Sequence, residues 1–426
     1  MKQSTKGILI GACAAGMLLP LTASATNGYF SSGYGTTSKG QAGAGSANGK
    51  NAMIGATNPA GLAFVGNRFD FGLAAFTPDR NSTTRNDNAN YDGNKDGDTG
   101  SSFFIPEFAY NKSLNDKMTF GVVVYGNGGM NTKYESIGQY AGASGFNTGI
   151  NLAQLFISPT FTYKITPKSA VGVSLNMVYQ TFEATGLGGF CGFKAVCTDA
   201  TGVLASARAG LTDQGEDSST GYSLKIGWTG QVSDTLTLAA AYQMKTDMSK
   251  FDKYNQLFAE QGDFDIPSNW TLGLSYQPTS TLNIMFDIQQ INYTDVASVS
   301  NANNNTMGAL GTNNGRGFGW EDMTVYKLGG EYNVNSRLAL RAGYSKTDQP
   351  IGADDTAFNL IAPAVIEEHF TFGLTYELAD KSDISAFVMY APEVTVNGNT
   401  VGAGSNGNAN ITMSQTAFGM AYGWKF

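Results

Sequence analysis

The chain reads as an all-β protein, a transmembrane antiparallel β-barrel of about fourteen strands with an N-terminal plug segment. Three observations predict it. From Arg68 onward, short segments alternate apolar with small or polar residues. The connectors between them alternate short with long. The chain also opens on a secretory leader and ends on an aromatic residue, Phe426.

At the N-terminus, Lys2 and Lys6 precede an apolar run from Ile8 to Leu21, and Ala23-Ser24-Ala25 supplies a small-residue cleavage site. Residues 1–25 therefore read as a signal peptide, with the mature chain starting at Thr26. A lipoprotein reading of Ile10-Gly11-Ala12-Cys13 fails on length, because the apolar run continues beyond Cys13. Cleavage removes two lysines and no acid, leaving 24 basic against 34 acidic side chains. An exported acidic chain carries no electrostatic footprint for nucleic acid. No later apolar run reaches the roughly 18 residues of a membrane helix. Yet 54 glycines, 20 tyrosines, 26 phenylalanines and only 14% charged residues do not resemble a cytosolic enzyme. A barrel reconciles these facts, because alternate residues face lipid and lumen and the mean hydropathy cancels.

The strands show the period directly. Tyr222, Leu224, Ile226 and Trp228 fall on one face, with Ser223, Lys225 and Gly227 on the other; Leu236, Leu238, Ala240 and Tyr242 repeat the pattern. Such segments begin near Arg68, Ser102, Lys117, Leu152, Ser169, Ser219, Thr235, Ile266, Thr281, Trp320, Ser336, Ile366, Lys381 and Ile411. Short connectors such as Asn115-Asp116, Thr166-Pro167 and Val232-Ser233-Asp234 read as periplasmic turns. Long ones, at 79–101, 127–151, 182–218, 247–265, 296–319, 349–365 and 392–410, read as extracellular loops. Aromatics near strand ends (Tyr163, Tyr276, Tyr332, Tyr376) suit girdles at the lipid boundary, and a propeller would not alternate its connectors this way. The last strand puts Phe418, Met420, Tyr422, Trp424 and Phe426 on one face. Tyr422, Trp424 and Phe426 read as the signal for the barrel-assembly machinery of a Gram-negative outer membrane.

Residues 26–66 break the pattern, so the domains read as leader 1–25, plug 26–66 and barrel 67–426. Glycine and alanine dominate from Gly28 to Ala47, and Asn58-Pro59-Ala60-Gly61-Leu62-Ala63 closes the segment. Such backbone packs closely against other backbone. Asn58 suits an Asx-type turn, Pro59 fixes its φ, and Gly61 allows a sharp exit. This Gly/Ala-rich N-terminus ending in Asn-Pro-Ala-Gly resembles the FadL family of outer-membrane hydrophobic-compound transporters. Ile266 to Tyr276, Leu282 to Tyr293, Trp320 to Tyr332 and Arg337 to Tyr344 extend the resemblance. It implies a fourteen-stranded monomeric barrel closed by an N-terminal hatch and working without a cofactor. It further implies capture of a hydrophobic ligand, a long-chain fatty acid, in an extracellular groove and passage to a lumen pocket. A kink in the third strand would open the wall toward lipid, and the hatch at Asn58, Pro59, Ala60 and Gly61 would gate. In this sequence Gly126, Asn127, Gly128 and Gly129 fall where that kink is expected, although they also read as the start of a flexible loop.

A fatty-acid path needs an apolar trough and a cation for the carboxylate. By alternation Lys225, Lys327 and Arg341 face the lumen. Lys327 and Arg341 are the carboxylate candidates, with pairing to Glu331, Asp287, Glu367 or Glu377 as the alternative role. Hydrophobic residues within Met130–Phe146 and Phe251–Phe264 are candidates for the outer groove. Cys191 and Cys197 predict a local disulfide, with a metal site or free thiols as alternatives. Asp92, Asn94 and Asp96 open like a calcium loop, but Phe103 stands where the twelfth-position Glu belongs, so an acidic surface loop is the other reading. An enzyme is not expected: His369 is the one histidine and no G-x-S-x-G elbow is present. The alternatives in function are the same barrel with aromatic or alkane cargo, a water-filled porin, and a surface adhesin or phage receptor. The plug and the few charges disfavour the porin.

Overall fold

Fourteen strands close into one antiparallel barrel in a computed structural model. It describes residues 27–86, 93–98, 102–135, 137, 147–193, 209–303, 307–399 and 407–426. The leader, Asp92 and Cys197 lie outside the described residues. The strands are β1 (Arg68–Asn86), β2 (Phe103–Ser113), β3 (Met118–Tyr134), β4 (Thr148–Thr166), β5 (Ser169–Thr185), β6 (Asp217–Gln231) and β7 (Leu236–Gln243). They continue as β8 (Asn269–Tyr276), β9 (Leu282–Ile291), β10 (Met323–Asn333), β11 (Leu338–Lys346), β12 (Glu368–Glu377), β13 (Asp383–Val396) and β14 (Gly407–Lys425). Each pairs with its sequence neighbours, and β1 pairs with β14 from Arg68↔Lys425 to Asn86↔Gly407, which closes the sheet on itself. Two short strands, Gly93–Asp96 and Asp247–Met248, extend the loop ends of β1 and β6.

Side-chain alternation decides which face is which. On β5, Val171, Val173 and Leu175 are exposed, while Ala170, Ser174, Asn176 and Gln180 are buried in the lumen. The outward stripes of Tyr222, Leu224 and Ile226, and of Phe370, Phe372 and Leu374, are apolar and exposed, as a lipid-facing surface requires. Among the described residues no helix is long and apolar enough to cross a membrane.

Every strand starts within four residues of its sequence expectation, but several are taller. β1 runs on to Asn86, β3 to Tyr134 and β13 to Val396, and β4 and β14 begin at Thr148 and Gly407. These stretches lie in what read as loops. They rise beyond the lipid belt, where neither face needs to be apolar, so the period-two signal fades while the ladder continues.

The N-terminal segment lies inside the barrel. It carries two single-turn helices, α1 (Thr36–Lys39) and α2 (Ile54–Thr57), and a 3-10 turn over Pro59–Phe64. Asn27 to Ala47 is almost wholly buried, and its polar groups meet side chains from opposite walls. At the long-loop end, Phe251, Tyr254, Phe258, Phe264, Phe318, Trp320 and Phe358 fold inward over Tyr29 and Phe30 as one apolar cluster. The rings of Tyr29 and Trp320 lie 5.9 Å apart, and those of Tyr293 and Trp320 meet edge-to-face at 5.2 Å.

Candidate functional site

The N-terminal segment is held mainly through its own backbone. Gly- and Ala-rich chain in single turns leaves amides unpaired, and a buried amide must find an acceptor. Wall side chains supply them. Glu107 on β2 accepts from Thr36 N at 2.7 Å and Thr36 Oγ1 at 2.8 Å. Thr371 on β12 accepts from Ala42 N at 2.8 Å. Asp287 on β9 accepts from Gly45 N at 3.0 Å and Ser46 N at 2.8 Å, and Asp70 on β1 from Ala52 N at 2.8 Å.

Asn58, Pro59, Ala60 and Gly61 pack closely against the wall. Asn58 Oδ1 accepts from Ala60 N at 3.1 Å, the expected Asx-type turn. Its Nδ2 donates to Ser46 O at 3.1 Å and to Trp228 O at 3.2 Å, tying the turn both to the segment and to β6. Two wall glycines make room. A Cβ at Gly172 would lie 2.6 Å from Ala60 N and Pro59 C, and one at Gly227 would overlap Asn58 Oδ1.

The wall itself is interrupted at β3. Pairing of β2 with β3 ends at Phe108↔Val124, although β2 continues to Phe103 and β3 to Tyr134. On its other edge β3 stays paired with β4, with a register shift between Gly126 and Gly128 that leaves Asn127 as the bulged residue. Gly126, Asn127, Gly128 and Gly129 thus lie within a strand rather than at a loop start. Residues 29–31 of the N-terminal segment use the freed edge. Ser31 N donates to Asn127 O at 2.8 Å, Gly129 N donates to Tyr29 O at 2.9 Å, and Phe30 bridges Gly128. A Cβ at Gly128 would overlap Tyr29 O, so this approach requires glycine. Between the separated strands, the Ile105 Cγ2 methyl sits 3.4 Å from where a Gly126 Cβ would be, and a cavity of about 20 Å³ opens among Phe76, Phe103, Met130 and Met413. The seam is closed by side chains instead of ladder hydrogen bonds.

A fourteen-stranded barrel filled by its own N-terminus and broken between its second and third strands narrows the field, and the sequence comparison decides it. A family model for outer membrane transport proteins of the OMPP1/FadL/TodX type matches residues 18–426. The chain belongs to that family. Among curated proteins no sequence matches it. Among solved structures, the toluene transporter TodX of Pseudomonas putida is 21% identical, with a TM-score of 0.69 over 93% of this chain and 99% of that one. A FadL homologue of Pseudomonas aeruginosa gives 15% identity and a TM-score of 0.70, covering 94% and 100% of the two chains. The toluene transporter TbuX of Ralstonia pickettii gives 19% and 0.63, covering 93% and 99%. These three likenesses concern the fold.

In this OMPP1/FadL/TodX barrel the lumen cations expected to meet a carboxylate are already engaged. Arg341 Nη2 lies 2.7 Å from Glu331, its cross-strand partner, and its Nη1 donates to Thr375 Oγ1 at 2.6 Å. Glu331 also takes Lys50 of the N-terminal segment at 2.9 Å. Lys327 Nζ donates to Gln289 Oε1 at 2.8 Å and to Ser32 O at 3.1 Å. Lys225 Nζ donates to Ala56 O and stands over the rings of Tyr34 and Tyr125. All three tie the wall to itself or to the N-terminal segment. At the long-loop end an apolar cavity of about 20 Å³ is lined by Phe182, Phe190, Phe258, Phe318 and Phe358 with Arg316 beside them. At the short-turn end a polar cavity of about 120 Å³ is lined by Asn48, Lys50, Ser275, Asn283, Glu331 and Asn333.

The remaining expected residues fall elsewhere. Residues of Phe251–Phe264 join the loop cluster, as do Met130, Tyr134 and Ile137 of Met130–Phe146, whose residues 136 and 138–146 lie outside the described residues. Cys191 is disulfide-bonded; Cys197 lies outside the described residues. Asn94 accepts from Thr83 Oγ1 and Asp96 from Asp98 N, and no metal-holding cluster occurs among the described residues. Tyr422, Trp424 and Phe426 face outward. Sequence reading missed Glu107, Thr371 and Asp70 as holders of the segment and Gly172 and Gly227 as its seat. Alternation placed such residues in the lumen, but nothing local marks an acceptor for a backbone amide 18 to 329 residues away.

Proposed function

We propose that this barrel takes up hydrophobic small molecules across the outer membrane, with residues 27–66 as a hatch and the β2–β3 seam as the exit. The carrying observation is the broken ladder beyond Phe108↔Val124, its edge occupied by Tyr29, Phe30 and Ser31. Cargo enters the aromatic loop cluster, displaces residues 29–31 and leaves sideways between Ile105 and Gly126. The polar cavity at the short-turn end offers an apolar molecule nothing, which favours the lateral route over passage straight through. The Asn58–Gly61 turn, pinned by Gly172 and Gly227, is the fixed end about which the hatch moves. The barrel works as a monomer, and Tyr422, Trp424 and Phe426 serve its insertion by the assembly machinery.

Long-chain fatty acids are the cargo implied by the family resemblance, with Lys327 or Arg341 meeting the carboxylate once released from present partners. A second reading, neutral aromatic hydrocarbons, is favoured by the engagement of those cations and by the likeness to TodX and TbuX. Uptake of radiolabelled oleate and toluene by cells lacking their own hydrophobic-compound channel, with and without this chain, separates them. Uptake of neither label above the background of the empty cells contradicts the proposal.

A further inference from the structure

A chain of buried amides runs from the loop cluster to the bulge. Gln180 Nε2 on β5 donates to Phe264 O at 3.1 Å. Gln154 Nε2 on β4 donates to Gln180 Oε1 at 2.7 Å, and the two residues are direct cross-strand partners. Asn127 Nδ2, from the bulged residue of β3, donates to Gln154 Oε1 at 2.9 Å. Tyr34 of the N-terminal segment completes it by donating to Asn127 Oδ1 at 2.7 Å. Asn127, Gln154 and Gln180 are all buried, and each amide donates in the same direction, toward the loop. The two ends also meet by a second route. The Phe264 ring lies 6.0 Å from that of Tyr29, whose carbonyl holds Gly129 N.

A lumen needs no such line of amides to be filled, and three buried carboxamides are costly unless every one is satisfied. Because each donates through one group and accepts through the other, none can turn without breaking the next bond, and bonds in series strengthen one another. The line also begins and ends at the parts that must move together. We propose that Gln180, Gln154 and Asn127 are positioning residues for transport, a relay through which displacement of Phe264 by cargo releases the Asn127 bulge and the Tyr29–Ser31 contact. The inference rests on the hatch-and-seam reading, deepening it by naming what couples capture to opening.

The amides of Ser31 and Gly129 report the contact directly, and their hydrogen exchange in the full mature chain in lipid nanodiscs needs no cargo. Gln180→Leu, which touches neither amide, is expected to speed both by tenfold or more, as is Gln154→Leu. The double variant should add little beyond either. Gln180→Met keeps the length but loses both the donor to Phe264 and the acceptor for Gln154, and it should speed the same amides should the leucine variant fail to fold. Asn176→Leu, on the same strand but bonded to Ser158 and Ser223, should leave them unchanged. Wild-type exchange in the Gln180 variants overturns the relay, as does equal acceleration by Asn176→Leu, which marks general loosening. Toluene and oleate uptake, measured separately on the wild type, tests the transport reading: its absence sinks that reading while the exchange result still decides whether the residues are coupled.

Discussion

Asp287 holds the middle of the N-terminal segment, and its removal has a size that follows from the geometry. Its Oδ2 takes two backbone amides, Gly45 N at 3.0 Å and Ser46 N at 2.8 Å. A hydrogen bond to a charged acceptor contributes about 1.5–3 kcal/mol, so the pair is worth about 3–6 kcal/mol. In Asp287→Ala the space left beside a Gly-rich turn admits water, which recovers part of that and favours the lower end. A loss of about 3 kcal/mol raises the population of the undocked turn roughly 150-fold, at tenfold per 1.4 kcal/mol. Hydrogen exchange of Gly45 and Ser46 in detergent or nanodiscs reads this directly, and planar-bilayer recording should show ion-conducting openings rarely seen in the wild type. Asp287→Asn keeps one acceptor oxygen and should fall between. If exchange at both amides stays at the wild-type rate in a folded Asp287→Ala barrel, wall carboxylates do not hold the segment.

Other perturbations give distinct readouts. Gly227→Ala places a Cβ over Asn58 Oδ1, so the Asn58–Gly61 turn should unseat at a cost of about 1–3 kcal/mol, seen as faster exchange at Ala60 with the β-sheet circular dichroism of the wild type retained. A turn as protected as in the wild type would show that this contact does not matter. Gly128→Ala should expel Tyr29 from the β3 edge and expose the amide of Gly129 to exchange; continued protection there contradicts the edge-docking described. In the loop between β7 and β8, burial and the neighbouring Asp265 push the Asp263 carboxyl up to about 6. A raised carboxyl stabilises the loop below its unfolded value near 3.9, and that contribution is lost as pH rises through about 6. Protection at Phe258 and Phe264, corrected for intrinsic exchange, should therefore be higher at pH 5 than at pH 7.5, and Asp263→Asn should flatten the difference. An equally steep profile in the variant assigns the effect elsewhere.

The barrel was legible because lipid imposes a strict rule on one face. Residues such as Leu224, Ile226 and Phe372 must be apolar at period two, so strand starts could be read within a few residues. Where lipid ends the rule ends, and β1 and β3 overran their expected limits for that reason. The N-terminal segment was legible as something other than strand, but its docking was not. Glu107 and Thr371 are ordinary lumen polar residues until the fold brings Thr36 and Ala42 to them. Gly172 and Gly227 look like any barrel glycines. Alternation put Arg341 and Lys327 in the lumen, yet only the register sets Arg341 opposite Glu331. The bulge at Asn127 was ambiguous in sequence because glycines serve a strand break and a loop start equally well.

Sealing the seam tests the transport route most directly. Ile105 and Gly126 face each other where the β2–β3 ladder has stopped, so Ile105→Cys with Gly126→Cys can be bridged by oxidation in an otherwise unchanged barrel. Uptake of labelled toluene or oleate, whichever the wild type carries, is then measured in the oxidised and reduced states against the two single variants. Lateral exit predicts that oxidation abolishes uptake and reduction restores it, with the single variants unaffected by either treatment. Undiminished uptake by the fully cross-linked barrel would contradict passage between β2 and β3.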